Sequence, residues 1–415
     1  MEPGGPLAGR RILVVGINYA PEHTGIAPYT TQACEHFVSS GAEVLAITGV
    51  PHYPHWTVPV EYRRRLRFRE EEPGGVNVRR LRHTVPARQS ARSRSAYEAT
   101  FGLNVLRQRL PWRPDVVLAV IPSLLGAAAA ATLARRAGVP LVLWVQDLMG
   151  PATAQSGIPG GGRISALTSL LEDRVFRRAS QVVVVSDAFR SYVQARGLHE
   201  VGLHVVPNWT HVQPSHEDRA TVRRRLGWAE NELVALHSGN MGLKQGLDNL
   251  VETARLASGP LRIVLAGDGS QRAALEQLGT GIAALQMLPP VDEAEFPGLL
   301  AAADILLVSE RASAVDMSLP SKLTSYFSAG VPVLAAVPPG GGTAREVERS
   351  GGGILVAPED PQQLLAALES LSADPATKAR LGAAGAMHAR KHLGGEVSLR
   401  RLGEILEHAM AGVSL

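Results

Sequence analysis

Apolar residues in this chain gather in short unbroken runs. RILVVGI, EVLAITG, DVVLAVIP, PLVLWVQD and QVVVVSD each end in a turn, as expected of central parallel strands buried on both faces. Between them lie helical patterns such as Tyr29 to Ser40 and Leu124 to Ala137. Strands alternating with helices predict a parallel sheet covered on both sides. The same grammar returns in LVALHSG, LRIVLAGDG, ADILLVS, VPVLAAV and GGILV, without a sequence repeat between the halves. Two amphipathic helices, Pro361 to Leu371 and Pro375 to Lys391, are expected to pack on the second sheet.

The punctuation VPNWTHVQP, with Pro207, Asn208 and Pro214, separates the halves before a basic helix at Thr221 to Leu226. The expected division is 1–208 for a first domain, 209–395 for a second, and a helix in 396–415 returning to the first. A chain of 415 residues is long for one core and suits two domains of about 200 residues each. In open parallel sheets ligands bind beyond the carboxyl ends of the strands, so two such domains facing each other would hold a ligand in the cleft between them.

Composition narrows the setting. With 45% hydrophobic and 19% charged residues the chain reads as globular and ordered, and a single cysteine, Cys34, rules out an internal disulfide. Cys34 is expected to be a small buried residue. No run reaches membrane-spanning length, and MEPGGPLAGRR leads into a strand without a signal-peptide core, so a cytoplasmic location is expected. The net charge of +4 is unevenly placed: residues 61–113 hold fourteen arginines against five glutamates. That stretch reads as a surface for anionic lipid headgroups at the inner face of the plasma membrane, for a phosphorylated acceptor or for a protein partner, or else as a solvated face. It has no nucleic-acid reader motif or interleaved aromatics, so nucleic acid is not an expected partner.

Candidate chemistry sits at strand ends. In HSGNMGLKQGLDNL, Gly239 and Gly242 allow a tight turn, and a helix is expected near Gln245 with Leu247, Leu250, Val251 and Ala254 on its buried face. Its free amides and dipole favour an anion, and Lys244 stands at that mouth, as a diphosphate ligand or as a plain loop lysine. The glycine spacing is not that of a P-loop. After the first strand comes GINYAPEHTGIAPYT instead of GxGxxG, which counts against a dehydrogenase. Thr24 and Gly25 there form a small-residue turn able to approach a phosphate or sugar, or an ordinary loop. Gln146 and Asp147 stand at a strand tip, where Asp147 can bond sugar hydroxyls, act catalytically by stabilising positive charge at an anomeric carbon, or cap the next segment. Gly267, Asp268 and Gly269 form a further strand-to-helix turn that can line a base pocket through its backbone, unless Asp268 merely caps the helix. In SERASAVDMSLPSKLTSYFSAGVPVLA, Glu310, Arg311 and Asp316 precede a helix opened by Pro320, Ser321 and Lys322 and closed by Gly330. Lys322 in a first turn opposes the dipole, so it either reaches solvent or holds an anion.

GxxGxKQGL after a strand, AGxG at the next, and PSKLxxxxxxG-PV before another resemble the family 4 retaining glycosyltransferases with the GT-B fold: α/β, two Rossmann-like doubly wound parallel-sheet domains facing a cleft. GINYAPEHTGIAPYT, VPHYPHW, VQD and VPNW are similar to the branch typified by the colanic acid fucosyltransferase and O-antigen L-fucosamine transferases. The resemblance spans nearly the whole chain in order. It implies that Lys244 binds the donor diphosphate, that the Thr24–Gly25 loop approaches it from the other domain, and that Asp316 lies near the donor sugar. Gly239, Asn240, Gly267, Gly269, Arg311, Ser321 and Lys322 complete the expected donor site, with Gln146 and Asp147 as sugar or acceptor contacts. Three positions depart from the family pattern. Asn240 stands where many members have an arginine, Gln146 replaces a histidine, and Ser325 replaces the glutamate that holds the nucleotide ribose.

The resemblance implies sugar transfer from a nucleoside diphosphate sugar, UDP- or GDP-linked, to a lipid-linked or small-molecule hydroxyl acceptor. No carboxylate is an obvious nucleophile, which favours front-face departure. Charge on the leaving group would be met by Lys244, Lys322 and helix amides, without a cofactor or metal, and no clustered His/Asp metal motif is present. The competing expectations are tailoring of a soluble metabolite, a non-hydrolysing nucleotide-sugar epimerase, and a nucleotide-sugar-binding subunit without activity.

Overall fold

The computed structural model describes residues 7–22, 25–63, 68–87, 90–148, 161–197, 202–210, 215, 217–292, 294–313 and 321–412. The chain divides into two compact units, Met1–Pro207 with Ser398–Leu415, and Asn208–Val397.

In the first unit the described strands are β1 (Arg11–Val15), β2 (Glu43–Gly49), β3 (Phe68–Glu71), β4 (Asn77–Leu81), β5 (Val116–Ile121), β6 (Leu141–Val145), β7 (Gln181–Val184) and β8 (Leu203–Val205). They form one sheet in the order β3-β4-β2-β1-β5-β6-β7-β8. Only β3 runs antiparallel, against β4. Helices α1 (Ala27–Ser39), α2 (Ala91–Leu106), α3 (Leu124–Ala137), α4 (Gly161–Phe176) and α5 (Asp187–Ala195) connect these strands. β5 and β6 are buried at every position, as their unbroken apolar sequence requires. Ser123 caps α3 by accepting from the amide of Gly126 at 3.2 Å, and Gly138 ends it at φ 63°.

The arginine-rich stretch is largely folded structure. β3 and β4 lie within it, neither announced by an apolar run. Arg80 is 2% exposed, pairs with Glu71 at 2.6 Å, and has the Tyr19 and Tyr62 rings beside its guanidinium. Arg79 pairs with Glu70 at 2.7 Å, Arg69 with Glu71 at 3.1 Å, and Arg113 donates to the Ala137 carbonyl. The cross-strand glutamates of β3 draw Arg79 and Arg80 into the sheet, whereas Arg69 stays about half exposed, so only part of the stretch is left as a basic surface. Arg64, Arg65, Arg67 and Arg88 lie outside the described residues.

The second unit holds α6 (Arg219–Leu226), β9 (Leu233–Asn240), α7 (Asp248–Leu256), β10 (Leu261–Asp268), α8 (Arg272–Leu278), β11 (Leu285–Leu288), α9 (Phe296–Ala302), β12 (Ile305–Ser309), α10 (Ser321–Ser328), β13 (Val333–Ala336), α11 (Gly342–Ser350), β14 (Gly353–Val356), α12 (Pro361–Ala373) and α13 (Pro375–His392). Its parallel sheet runs β11-β10-β9-β12-β13-β14. Two hydrophobic cores pack on it, one built around Leu236, Val308, Tyr326 and Phe327, the other around Ile263, Leu265, Leu334 and Leu364. A last helix, α14 (Gly395–Ala411), falls within the first unit from Ser398 onward. Its Ser398 hydroxyl donates to the Pro207 carbonyl at 3.0 Å.

Strand order reverses between β1 and β5 in one sheet and between β9 and β12 in the other. At such switch points the connections leave in opposite directions and open a crevice beyond the strand ends. Those two crevices are where functional side chains are to be sought.

Candidate functional site

In the second unit β9 pairs with β12 only at Ala235–Ile305 and Leu236–Leu306. Beyond those pairs His237, fully buried, extends its ring to the neighbouring strand, with Nδ1 3.2 Å from the Leu307 carbonyl. On the other side β9 and β10 stay paired to their tips, Gly267 opposite Gly239 and Asp268 opposite Asn240. A side chain on Gly267 would put its Cβ 2.0 Å from the Gly239 carbonyl oxygen, and one on Gly269 would lie 2.6 Å from that of Met241. Both have positive φ. These glycines are thus required by the close approach of two backbones, a demand internal to the fold and separate from any base pocket.

After β9 the chain makes a 3₁₀ turn, Leu243–Gln245, closed by Gly246 at φ 53°. The α-helix starts at Asp248, three residues later than the apolar spacing suggested, because Gly246 breaks the helical path. Exposed Lys244 therefore rides on a turn held by its neighbours. The Gly242 amide donates to Gln245 Oε1 at 3.1 Å, and the Ser309 hydroxyl donates to the Gly246 carbonyl at 3.2 Å. Arg311 does most of the holding. Its amide donates to the Lys244 carbonyl at 2.9 Å, and its guanidinium bonds Leu243 O at 3.0 Å, Asp248 at 2.9 Å and Glu359 at 3.1 Å. Sequence reading placed Arg311 on the donor; in the structure it braces the turn that carries Lys244.

Of the two courses expected for Lys322, it does not take the solvent-facing one. At the start of α10 it turns inward, and its Nζ stands 3.2 Å from His237 Nε2. Burial lowers the amine to about 8 while Glu310 works against that shift. His237 is held well below its usual range by burial and by the Lys322 charge. A turn later the Tyr326 hydroxyl accepts from the Ser238 amide at 2.8 Å, fastening α10 to β9. Ser325 lies on the same helix, 3.4 Å from the Thr210 hydroxyl. Asn240 is exposed at the β9 tip and Ser321 opens α10, whereas Asp316 lies outside the described residues. The second unit thus brings Gly239, Asn240, Lys244, Gly267, Gly269, Arg311 and Lys322 to the carboxyl edge of one sheet. Asp268, weighed as a helix cap, instead accepts from the Gly269 amide at 2.7 Å, ahead of a helix that begins only at Arg272.

In the first unit the corresponding edge is built on Glu22, a carboxylate only 6% exposed. Its Oε1 accepts from the amides of His52 and Tyr53 at 2.8 and 2.9 Å, and Oε2 accepts from Asn18 Nδ2 at 2.8 Å. The loop after β1 is thereby bolted to the loop after β2, satisfying a buried charge with three donors. Gly25 is exposed at φ 68°, with the Tyr53 ring 3.1 Å from where a Cβ would stand. Thr24 lies outside the described residues. His52 Nε2 meets the Tyr97 hydroxyl at 3.1 Å, and the rings of His52, Trp56, His83 and Tyr97 pack edge to face or tilted. Nothing in the spacing of VPHYPHW announces this ring cluster, because His83 and Tyr97 come from elsewhere in the chain. Gln146 is buried at the tip of β6, and exposed Asp147 accepts from the Leu148 amide at 2.8 Å, a local bond of the capping kind.

Among the described residues no group of three or more His, Cys, Asp or Glu side chains is arranged to hold a metal ion, and no helix is long and apolar enough to cross a membrane. Cys34 is buried, and its thiol is pushed up by burial.

Residues 24–209 match the Glycosyl transferase 4-like domain, and residues 218–388 match Glycosyl transferases group 1. Over 334 residues the chain is 33% identical to WcaI of Escherichia coli (strain K12), assigned to colanic acid biosynthesis as a glycosyl transferase, covering 77% of this chain and 81% of that protein. A GDP-mannose-dependent alpha-mannosyltransferase of Mycobacterium tuberculosis is 28% identical over 271 residues, 65% of this chain and 66% of its own. Among solved structures, HepE of Anabaena in complex with UDP superposes with a TM-score of 0.71 at 17% identity, covering 96% of this chain and 99% of HepE. The architecture of two parallel-sheet α/β domains is GT-B.

Proposed function

The chain belongs to the family 4 glycosyltransferases, and from that premise we propose that it transfers a sugar, with retention at the anomeric carbon, from a nucleoside diphosphate sugar to a hydroxyl acceptor in bacterial cell-surface polysaccharide synthesis. The observation that carries this reading is the Lys244 turn: an exposed cation beyond the β9 tip, at a switch point, on backbone braced by Arg311. A site of this kind suits the two negative charges of a diphosphate. HepE was solved with UDP and the mycobacterial relative uses GDP-mannose, which supports UDP or GDP as the donor's nucleotide. The likeness to a colanic acid biosynthesis glycosyl transferase supports cell-surface polysaccharide synthesis as the setting; a lipid-linked acceptor and a fucosyl-type deoxyhexose are part of the proposal and rest on the resemblance of the sequence motifs alone.

In the proposed reaction the bond from the anomeric carbon to the leaving phosphate oxygen breaks, and the acceptor oxygen bonds to the same face. The acceptor proton passes to the departing phosphate oxygen. Lys244 stabilises the charge that develops on the diphosphate, with the strand-tip amides near Gly239 and Asn240 as further donors. In this reading Asp147 and Gln146 serve as contacts to sugar hydroxyls and Asp316 as the acidic residue for the donor sugar, roles that rest on the sequence resemblance. None of these steps calls on a metal. Exposed arginines such as Arg82, Arg107 and Arg109 would meet anionic headgroups where the acceptor is embedded, each contributing about 1 kcal/mol.

The test is thermal stabilisation of the purified protein by UDP-, GDP-, dTDP- and ADP-sugars, with Lys244→Ala alongside. A donor at 100 times its dissociation constant stabilises the fold by about 2.7 kcal/mol. A shift with one nucleotide family, lost in Lys244→Ala, supports the donor site. No shift with any of them, while a control transferase responds, would leave a subunit without donor binding as the better reading.

A further inference from the structure

Lys322 and Lys244 are different kinds of cation. Lys244 is exposed on its turn, whereas the Lys322 amine is folded back against the interior of the sheet, 3.2 Å from His237 Nε2. The Leu307 carbonyl can only accept and draws the ring proton to Nδ1, the tautomer in which Nε2 presents a lone pair to the amine; the Asn240 backbone is a further partner of the same ring. We propose that His237 is a positioning residue that parks the Lys322 amine beside the β9 tip, and that an anionic diphosphate arriving there is bound together with one proton taken up from solvent by that amine. This inference rests on the donor-site reading above.

Three observations support it. The first is place: a Cβ on Gly239 would meet Lys322 Cε at 4.0 Å, so the missing side chain leaves the lysine stem facing the strand tip. The second is that His237 cannot supply or absorb the proton itself, since burial and the neighbouring amine hold it neutral far below its usual range. The third is the surroundings. Among the described residues the ionisable groups that act on Lys322 are His237 from β9 and Glu310 beyond β12, with Tyr326 one turn further along α10. Glu310 already accepts from the Thr343 hydroxyl of α11 at 2.6 Å, and Tyr326 is neutral and bonded to Ser238. From α13, His388 packs on Phe327 and is closed on Glu346 at 2.7 Å, with Arg349 on the same carboxylate. Without a ligand, burial brings the amine down to about 8, so near and above that pH it is easily deprotonated. A diphosphate beside it restores the preference for the charged form.

The experiment is isothermal calorimetry with UDP-glucose and GDP-mannose, each in two buffers of different ionisation enthalpy, at pH 6.5 and pH 9. The wild type should take up almost no proton at pH 6.5 and about 0.9 at pH 9, with affinity falling roughly tenfold per pH unit above 8. Lys322→Arg, whose charge is permanent, should bind at both pH values with no uptake. His237→Leu should weaken binding with the pH dependence altered, and His237→Gln, which keeps an acceptor, should recover part of it. If the histidine variants do not fold, Lys322→Arg against wild type still decides. Binding with no proton uptake at pH 9 overturns this inference and leaves the donor site intact. Binding of neither probe at either pH removes the donor-site reading and the inference with it.

Discussion

The peptide nitrogen of Arg311 donates to the carbonyl oxygen of Lys244 at 2.9 Å. A residue just past β12 thus fixes the backbone of a turn after β9, and its guanidinium repeats the grip through Leu243 O and Asp248. Arg311→Met keeps the backbone bond and removes the side-chain ones. Stability of the second unit should fall by about 1–2 kcal/mol. Donor affinity should weaken by less than in Lys244→Ala, because the charge remains and only its placement loosens. Urea melts and donor titrations on the two variants check the ordering; equal losses would mean that Arg311 itself touches the donor.

Gly267 tests whether the glycines at the β9–β10 tips answer to the fold or to a ligand. An alanine there would drive its Cβ to 2.0 Å from the Gly239 carbonyl at a φ of 140°, so the strands must part. Gly267→Ala should cost more than about 4 kcal/mol or prevent folding. Gly227→Ala, at φ 73° with no atom within 4 Å, should cost only about 1 kcal/mol. Chemical denaturation of both, without any nucleotide present, gives the comparison. A mild Gly267→Ala variant would return that glycine to a ligand-facing role.

Much of this was legible in the sequence. Unbroken apolar runs located the central strands, since a strand buried on both faces has no polar alternate positions to confuse the reading. Strands that carry charged positions are harder to read: β4 is NVRRL, and only the ion pair with Glu71 of β3 shows that Arg80 belongs inside. The start of α7 was misplaced because the positive φ of Gly246 breaks a run whose apolar spacing continues through it. His237 was missed, although a histidine inside LVALHSG carried a signal, since a polar side chain in a buried strand needs a partner. That partner, Lys322, lies 85 residues away, and no spacing rule connects them.

The Lys322 amine also makes a stability prediction independent of any ligand. Its lowered pKa means that the folded chain holds the charge less readily than the unfolded chain does. Between about 8 and the ordinary lysine value of 10.5 the unfolded state binds more protons, so this group makes stability rise with pH across that window. Below pH 8 the fold carries the full penalty of a buried ammonium. Lys322→Met should therefore stabilise the unliganded protein at pH 7 by about 1–2 kcal/mol, after the lost His237 bond is discounted. The gain should fade to nothing above pH 10.5. Denaturation midpoints from pH 7 to 11 provide the check, and an unchanged slope between 8 and 10.5 in the variant would show that the amine is solvated.

Glu98 gives the opposite slope in the first unit. It accepts from the Ser123 hydroxyl at 3.0 Å and the Leu125 amide at 3.1 Å, filling the mouth of α3 with the protein's own carboxylate. Burial nevertheless outweighs those bonds and pushes it up to about 7 from an ordinary 4.5. For an acid shifted upward, the folded state binds the extra proton between those values. The contribution to stability is full below pH 4.5 and is lost as pH rises through 7. Glu98→Gln keeps an acceptor for Ser123 and Leu125 yet cannot ionise, so it should leave stability at pH 5 nearly unchanged and raise it at pH 8 by about 1–3 kcal/mol. Urea denaturation of wild type and variant at the two pH values measures the difference. A variant weaker than wild type at pH 8 would mean that the ionised carboxylate, bonded at the helix start, is the form the fold prefers.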